Sequence, residues 1–290
     1  MIAFFATVRA IHFASLMAIF GACAFLALLR SRLHIEVPAI AARILFASAA
    51  TLALITAVAS LGLVAGQMSG DWHGALDPAS LTAVATGTRF GQVFLWRIGG
   101  LAVLWIACIL KTPSQNVLPA LLAAALLGAL GLTSHAAASS GEFGIVRAGN
   151  DAAHLLAGGF WLGGLLVLAM LMWRHREAPA ALLGPLQLFS AWGTYAIAAL
   201  VVTGVSNAAS ILPVAAVSLR GAYARVLLSK VAIASMMIAL AAVNRWRLVP
   251  ALRSGESGAP HDLARSIGAE IALGATVIAI AAWLGLMPPR

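Results

Sequence analysis

The chain has 290 residues, 62% apolar and 9% charged, where a soluble domain carries about a quarter charged residues. This excludes an ordinary soluble domain, a disordered chain, a disulfide-stapled secreted fold and a plain nucleic-acid binder. The 18 Lys and Arg against 9 Asp and Glu give a formal charge of +9, and in a membrane protein such an excess reports orientation rather than an acidic partner.

Inside hydrocarbon every backbone N–H and C=O must be bonded within the protein, which leaves helices and closed barrels. Apolar runs of about 20 residues select helices. Eight are predicted, over 2–29, 39–66, 90–110, 117–134, 150–173, 188–211, 225–244 and 266–286, so the fold class is an all-α polytopic membrane protein with one membrane domain. Pro38, Pro113, Pro185, Pro213, Pro288 and Pro289 fall at their ends, where a missing N–H matters least. The first run carries a cleavage-like Gly21-Ala22-Cys23-Ala24 but is too long and lacks a basic start, so it is read as span 1 rather than a signal peptide. Connections after spans 1, 3, 5 and 7 carry ten basic residues, among them Arg30, Arg174 and Arg247, against six on the other side. The positive-inside rule therefore places both termini on the outer face.

An internal repeat organises the spans. His12 to Gly21 in span 1 and His154 to Gly163 in span 5 share the same histidine–glycine spacing, and Phe90 to Arg97 in span 3 answers Tyr223 to Lys230 in span 7. Leu45-Phe46 and Gly62 answer Leu188-Phe189 and Gly204 with a one-residue slip. An offset of four spans predicts two parallel halves, 1–134 and 150–290, related by an axis along the membrane normal, with sites favoured where they meet.

Polar residues inside a bilayer are expensive and are the first places to seek function. His34, His175 and His261 sit in inner connections, whereas His12, His73, His135 and His154 lie toward the outer face. Asp151 and His154 are three apart and share a helical face. Imidazoles beside a carboxylate suit a copper or zinc ion; the plainer alternative is that Asp151 N-caps span 5 and His154 hydrogen-bonds at an interface. His12 is buried about a dozen residues into span 1, where an unpaired imidazole is costly. The loop between spans 2 and 3 adds Met68, Trp72 and His73, a thioether and imidazole that suit Cu(I), or else a belt tryptophan beside an exposed histidine. Arg97 and Lys230 lie about 10 Å below the outer surface at 1.5 Å per residue, near Trp161 and Tyr223, and must face inward or snorkel. Their expected partners are Asp151, a backbone carbonyl or an anionic ligand. Toward the inner side, Glu270 is expected to pair with Asn244 or Arg245, or to complement the dipole at a helix start.

Ser134-His135-Ala136, Asp151-x-x-His154-Leu155-Leu156, Trp161-x-Gly163-Gly164, Phe189-Ser190 with Thr203-Gly204, Tyr223 with Leu228 and Lys230, then Asn244-Arg245 and Glu270 together resemble the copper resistance protein D family. His12 and the stretch from Thr88-x-Phe90-Gly91 to Arg97 are similar in order and spacing. Where the family's fourth-span motif carries glycine before the histidine, this chain has Ser134. The resemblance implies an eight-helix bacterial inner-membrane protein of copper homeostasis, surrounded by lipid and moving copper inward from a separate periplasmic copper-binding partner. It assigns His135, Asp151 and His154 to the metal side, with His12 as companion; the loop between spans 2 and 3 adds Met68 and His73 on the outer side. Two other readings are a haem protein with His12 and His154 as axial ligands, and a non-transporting copper sensor or partner subunit. Walker, nucleophile-elbow and H-E-x-x-H motifs are absent from the sequence, so an enzyme is not expected.

Overall fold

Ile2–Leu33 contains no proline and one glycine, so nothing interrupts its hydrogen-bond ladder, and it forms a single helix, α1. The computed structural model describes residues 2–35, 39–110, 117–131, 142–211 and 221–287. In chain order the other helices are α2 (Ala39–Ser69), α3 (Pro78–Gly87), α4 (Arg89–Leu110), α5 (Val117–Gly128), α6 (Glu142–Arg174), α7 (Leu183–Ile211), α8 (Ala222–Val243), α9 (Val249–Arg253) and α10 (Ala259–Leu284). A π-helical turn, Asn244–Leu248, joins α8 to α9 without a break. The described residues contain no strand.

Seven of these segments are long and apolar enough to cross a membrane. At the fourth expected span the described residues hold a shorter apolar helix, Val117–Gly128, so seven full-length spans stand against the eight expected. Two starts differ from the sequence reading. The α6 helix begins at Glu142 rather than 150, which puts Asp151 well inside the helix and removes its reading as an N-cap. The α10 helix begins at Ala259, with Pro260 and Asp262 in its first turn, where a fixed φ and a negative charge both suit the helix start. Glu270 therefore sits in mid-helix and is too far from that end to serve its dipole. A short helix not expected from sequence, α3, is capped by Asp77, whose carboxylate accepts Ser80 N–H at 2.8 Å and Ser80 Oγ–H at 2.7 Å. These bonds hold the Asp77 carboxyl below the usual carboxylate range.

The α1 helix is the centre of the bundle, packing on α2, α5, α6, α7 and α10. Its closest neighbour is α6. A Cβ added to Gly21 would collide with the Gly159 carbonyl, and one on Gly163 would strike the backbone of Gly21 and Ala22. These glycines let the two backbones touch, as small residues do at membrane helix crossings. Just beyond the crossing, Phe25 meets Phe189 edge-on at 5.3 Å, and Phe160 stacks on Phe189 at 6.4 Å. The two cysteines, Cys23 and Cys108, are buried and free.

Arg30, Arg32, Arg174, Arg247 and Arg253 share one end of the bundle, here termed the basic face. The α2–α3 loop lies at the opposite face. The helix surfaces turned outward are apolar: on α4, Trp96 is 85% exposed while its neighbour Arg97 is 4% exposed. One step of 100° along the helix thus separates a side chain suited to lipid from a cation directed into the protein.

Candidate functional site

His12 is buried, with Nδ1 3.0 Å from Thr56 Oγ1 and 3.1 Å from the Ala53 carbonyl of α2. The Thr56 hydroxyl donates back to Leu52 O at 2.6 Å. Its oxygen is therefore the acceptor, and His12 Nδ1 carries the hydrogen. The lone pair on Nε2 accepts from Arg97 Nη2 at 2.8 Å. Both ring nitrogens are thereby committed. Arg97 also lies over the Phe94 ring, 4.9 Å from its centroid, while its Nε and Nη1 are buried without a hydrogen-bond partner. Arg9, one turn before His12 on α1, stands over Phe13 and is within electrostatic reach of both His12 and Arg97.

His154 is held by the same device on α6 and α7. Its Nδ1 is 2.9 Å from Thr203 Oγ1, and the Thr203 hydroxyl donates to Ala199 O. The hydrogen is again on Nδ1. Here, however, Nε2 has no partner among the described residues, and the ring is half-buried rather than sealed. Gly204 passes close to the ring, where a Cβ would lie 3.5 Å from Cε1. Lys230, half-buried on α8, interacts electrostatically with His154 and with Asp151. Asp151 stands beside Gly131 at the end of α5. Asn150 braces this end, donating to Thr203 O at 3.0 Å and Asn207 Oδ1 at 2.6 Å.

The structure brings together some predicted residues and not others. His154, Asp151 and Lys230 are gathered, and so are His12 and Arg97. Met68 is 65% exposed and His73 is exposed on the α2–α3 loop, beside Trp72, which meets Phe4 edge-on at 5.9 Å. His135 lies outside the described residues. Among the described residues no three His, Cys, Asp or Glu side chains converge in a metal-holding group. A haem held between His12 and His154 does not fit this arrangement, because His12 Nε2 is spent on Arg97 and the α1 and α6 backbones touch at Gly21, Gly159 and Gly163. Tyr223 and Trp161 are buried at 9% and 4% exposure; Tyr223 packs in the interior, and the Trp161 indole faces the Glu270 carboxyl.

Toward the basic face, Glu270 takes Asn244, whose Nδ2 donates to Oε1. Arg245 turns away, donating through Nη1 to Thr194 Oγ1 at 2.6 Å and Ser190 O at 3.0 Å. The residues that sequence reasoning did not single out are Thr56, which fixes the His12 tautomer, and Arg9. Span 2 offers Thr51, Thr56 and Ser60 as candidate hydroxyls, and only the helix rotation selects among them.

Residues 1–145 match the family model of the copper resistance protein D-like N-terminal domain, and residues 183–284 match that of copper resistance protein D. The chain belongs to the copper resistance protein D family. It is 30% identical over 287 residues, 97% of each chain, to inner membrane protein YebZ of Escherichia coli K12. It is 29% identical over 263 residues to copper resistance protein D of Pseudomonas syringae pv. tomato, covering 86% of this chain and 84% of that one. No solved structure matches. Within this family fold, the paired His–Thr devices are the arrangement most suited to presenting imidazole nitrogen.

Proposed function

We propose that this member of the copper resistance protein D family is a multi-pass inner-membrane protein of copper homeostasis that takes a copper ion as cargo on His154 Nε2. Asp151 supplies the neighbouring carboxylate, and His135, which the family resemblance assigns to the same side, supplies a second imidazole. The observation that carries this reading is the tautomer set by Thr203: with the hydrogen on Nδ1, Nε2 keeps its lone pair and meets no hydrogen-bond donor among the described residues. A hydroxyl or carbonyl behind the ligating ring is the usual way a metal-binding histidine is oriented. His12 is left out of this set because Arg97 occupies its Nε2.

Charge balance supports a single soft cation. Asp151 and Lys230 offset one another, so an arriving ion meets a near-neutral site rather than a cluster of carboxylates. Placed on the outer face by the positive-inside reading, this site receives copper from a separate periplasmic copper-binding protein. Rearrangement of the two halves about the α1–α6 seam then passes the ion toward the basic face.

The test is metal analysis of the purified chain. Stoichiometric copper without a haem absorption band is expected, and His154→Ala is expected to lose the copper while remaining monodisperse in detergent. Stoichiometric copper retained by both His154→Ala and His135→Ala would overturn the assignment. Copper flux into proteoliposomes separates transport from sensing: binding without flux leaves the binding site standing and makes the chain a sensor or partner subunit.

A further inference from the structure

Glu270 is 1% exposed, the most buried Asp, Glu, His, Lys or Arg side chain among the described residues. It stands five residues beyond Arg265, about 7.5 Å along α10 from the basic face at 1.5 Å per residue. Oε1 accepts from Asn244 Nδ2. Three other buried oxygens nearby have no hydrogen-bond partner: Glu270 Oε2, Asn244 Oδ1 and Ser266 Oγ, the last one turn earlier on the same helix.

As a carboxylate this group would be a net charge in a low-dielectric interior met only by two neutral groups, the Asn244 amide and the Trp161 indole, and with no cation paired to it, an arrangement that proteins avoid by neutralising the group. Of the elements packed on α10, the π turn faces the carboxyl with Asn244, and α6 faces it with the Trp161 indole. From α1, α8 and α9, no charged or titratable group among the described residues interacts with it. Arg245 is engaged elsewhere, on Ser190 and Thr194. A proton on Oε2 resolves two of the orphaned atoms at once. The O–H donates to Asn244 Oδ1 while Asn244 Nδ2 donates to Oε1, giving a cyclic acid–amide pair with both partners satisfied.

We propose that Glu270 and Asn244 form a proton-binding site of the membrane domain, exchanging one proton with water at the basic face. In the loaded state the proton is on Glu270 Oε2. On release the Oε2–H bond breaks, its electron pair stays on the carboxylate, and the proton passes to a water molecule. The Ser266 hydroxyl, unpartnered in the loaded state, is one turn away to donate to the new charge. Asn244 opens the π turn, a feature that concentrates at functional sites because its widened ladder can shift register. Such a shift carries Asn244 off Glu270. On the basic face a cleft of about 350 Å³, lined by Ser190, Arg245, Val249 and Arg253, opens beside the residue that follows Asn244.

The experiment is infrared spectroscopy of the full chain in liposomes over a pH titration, with E270Q as reference. The wild type is expected to show a protonated-carboxyl C=O band at neutral pH that E270Q lacks and that fades as pH rises, with Asn244→Ala shifting its frequency. E270Q keeps the pairing, since its amide donates to Asn244 Oδ1, so it is expected to fold. A wild-type minus E270Q difference spectrum showing only carboxylate bands at neutral pH would overturn the proposal. So would carboxylate bands that respond to added sodium and not to pH, which would make this a hard-cation site. None of these readouts depends on copper, so a failure here and a failure at His154 are separable.

Discussion

The His12 and His154 clusters are built alike up to one atom and then part. In each, a threonine on the next long helix commits its hydroxyl hydrogen to its own backbone and takes the imidazole Nδ1–H. In each, a cation comes from the long helix after that. The difference lies in where the cation finds negative charge. Lys230 has Asp151 within electrostatic reach. Arg97 forms no salt bridge among the described residues, so the planar guanidinium settles on the histidine lone pair and the Phe94 face. One acidic residue thus decides which imidazole stays open.

The largest effect is expected from the seam that sets both clusters at one depth. Gly21→Leu forces a side chain into the Gly159 carbonyl, and a cost of about 3 kcal/mol or more is expected. Thermal unfolding in detergent should show it, with copper binding lost only in proportion to unfolded protein. Next, exchanging the histidines one at a time separates structure from binding. His12→Ala strips Arg97 of its acceptor and is expected to cost about 1.5–3 kcal/mol with copper stoichiometry unchanged. His154→Ala is expected to cost less stability and to abolish binding. Folded His12→Ala protein without copper would show that the two clusters act as one site.

A smaller effect is expected from charge. Lys230→Met removes a cation beside His154, and copper affinity measured by competition with a chelator is expected to tighten by about tenfold. Unchanged affinity would mean that the ammonium stands too far from the bound ion to repel it. Smallest is the threonine pair. Thr203→Val is expected to weaken copper binding about tenfold by freeing the ring, whereas Thr56→Val is expected to cost about 1 kcal/mol and leave copper untouched.

Much of this was legible in the sequence because bilayer thickness fixes span length and apolar runs display it. Helix ends were less so. The residues from Glu142 to Gly149 read as a connection, yet the helix runs through them, since a helix beyond the hydrocarbon no longer needs an apolar surface. The Asn244–Glu270 bond was among the expected pairings and is present. The His12–Arg97 bond joins residues 85 apart, and nothing in local sequence says which way each helix is rotated. For the same reason the sequence marked Arg97 and His12 as costly to bury without showing that each satisfies the other.

The central place of α1 has a consequence for biogenesis. Among the described helices α1 is synthesised before the rest and α10 after them, yet the two pack together and Arg9 of α1 lies against Gly285. Domains otherwise tend to assemble in the order in which they emerge. Here α1 must wait, its guanidinium without a finished cradle, until α10 has been made, so a truncation that removes α10 should betray itself at α1.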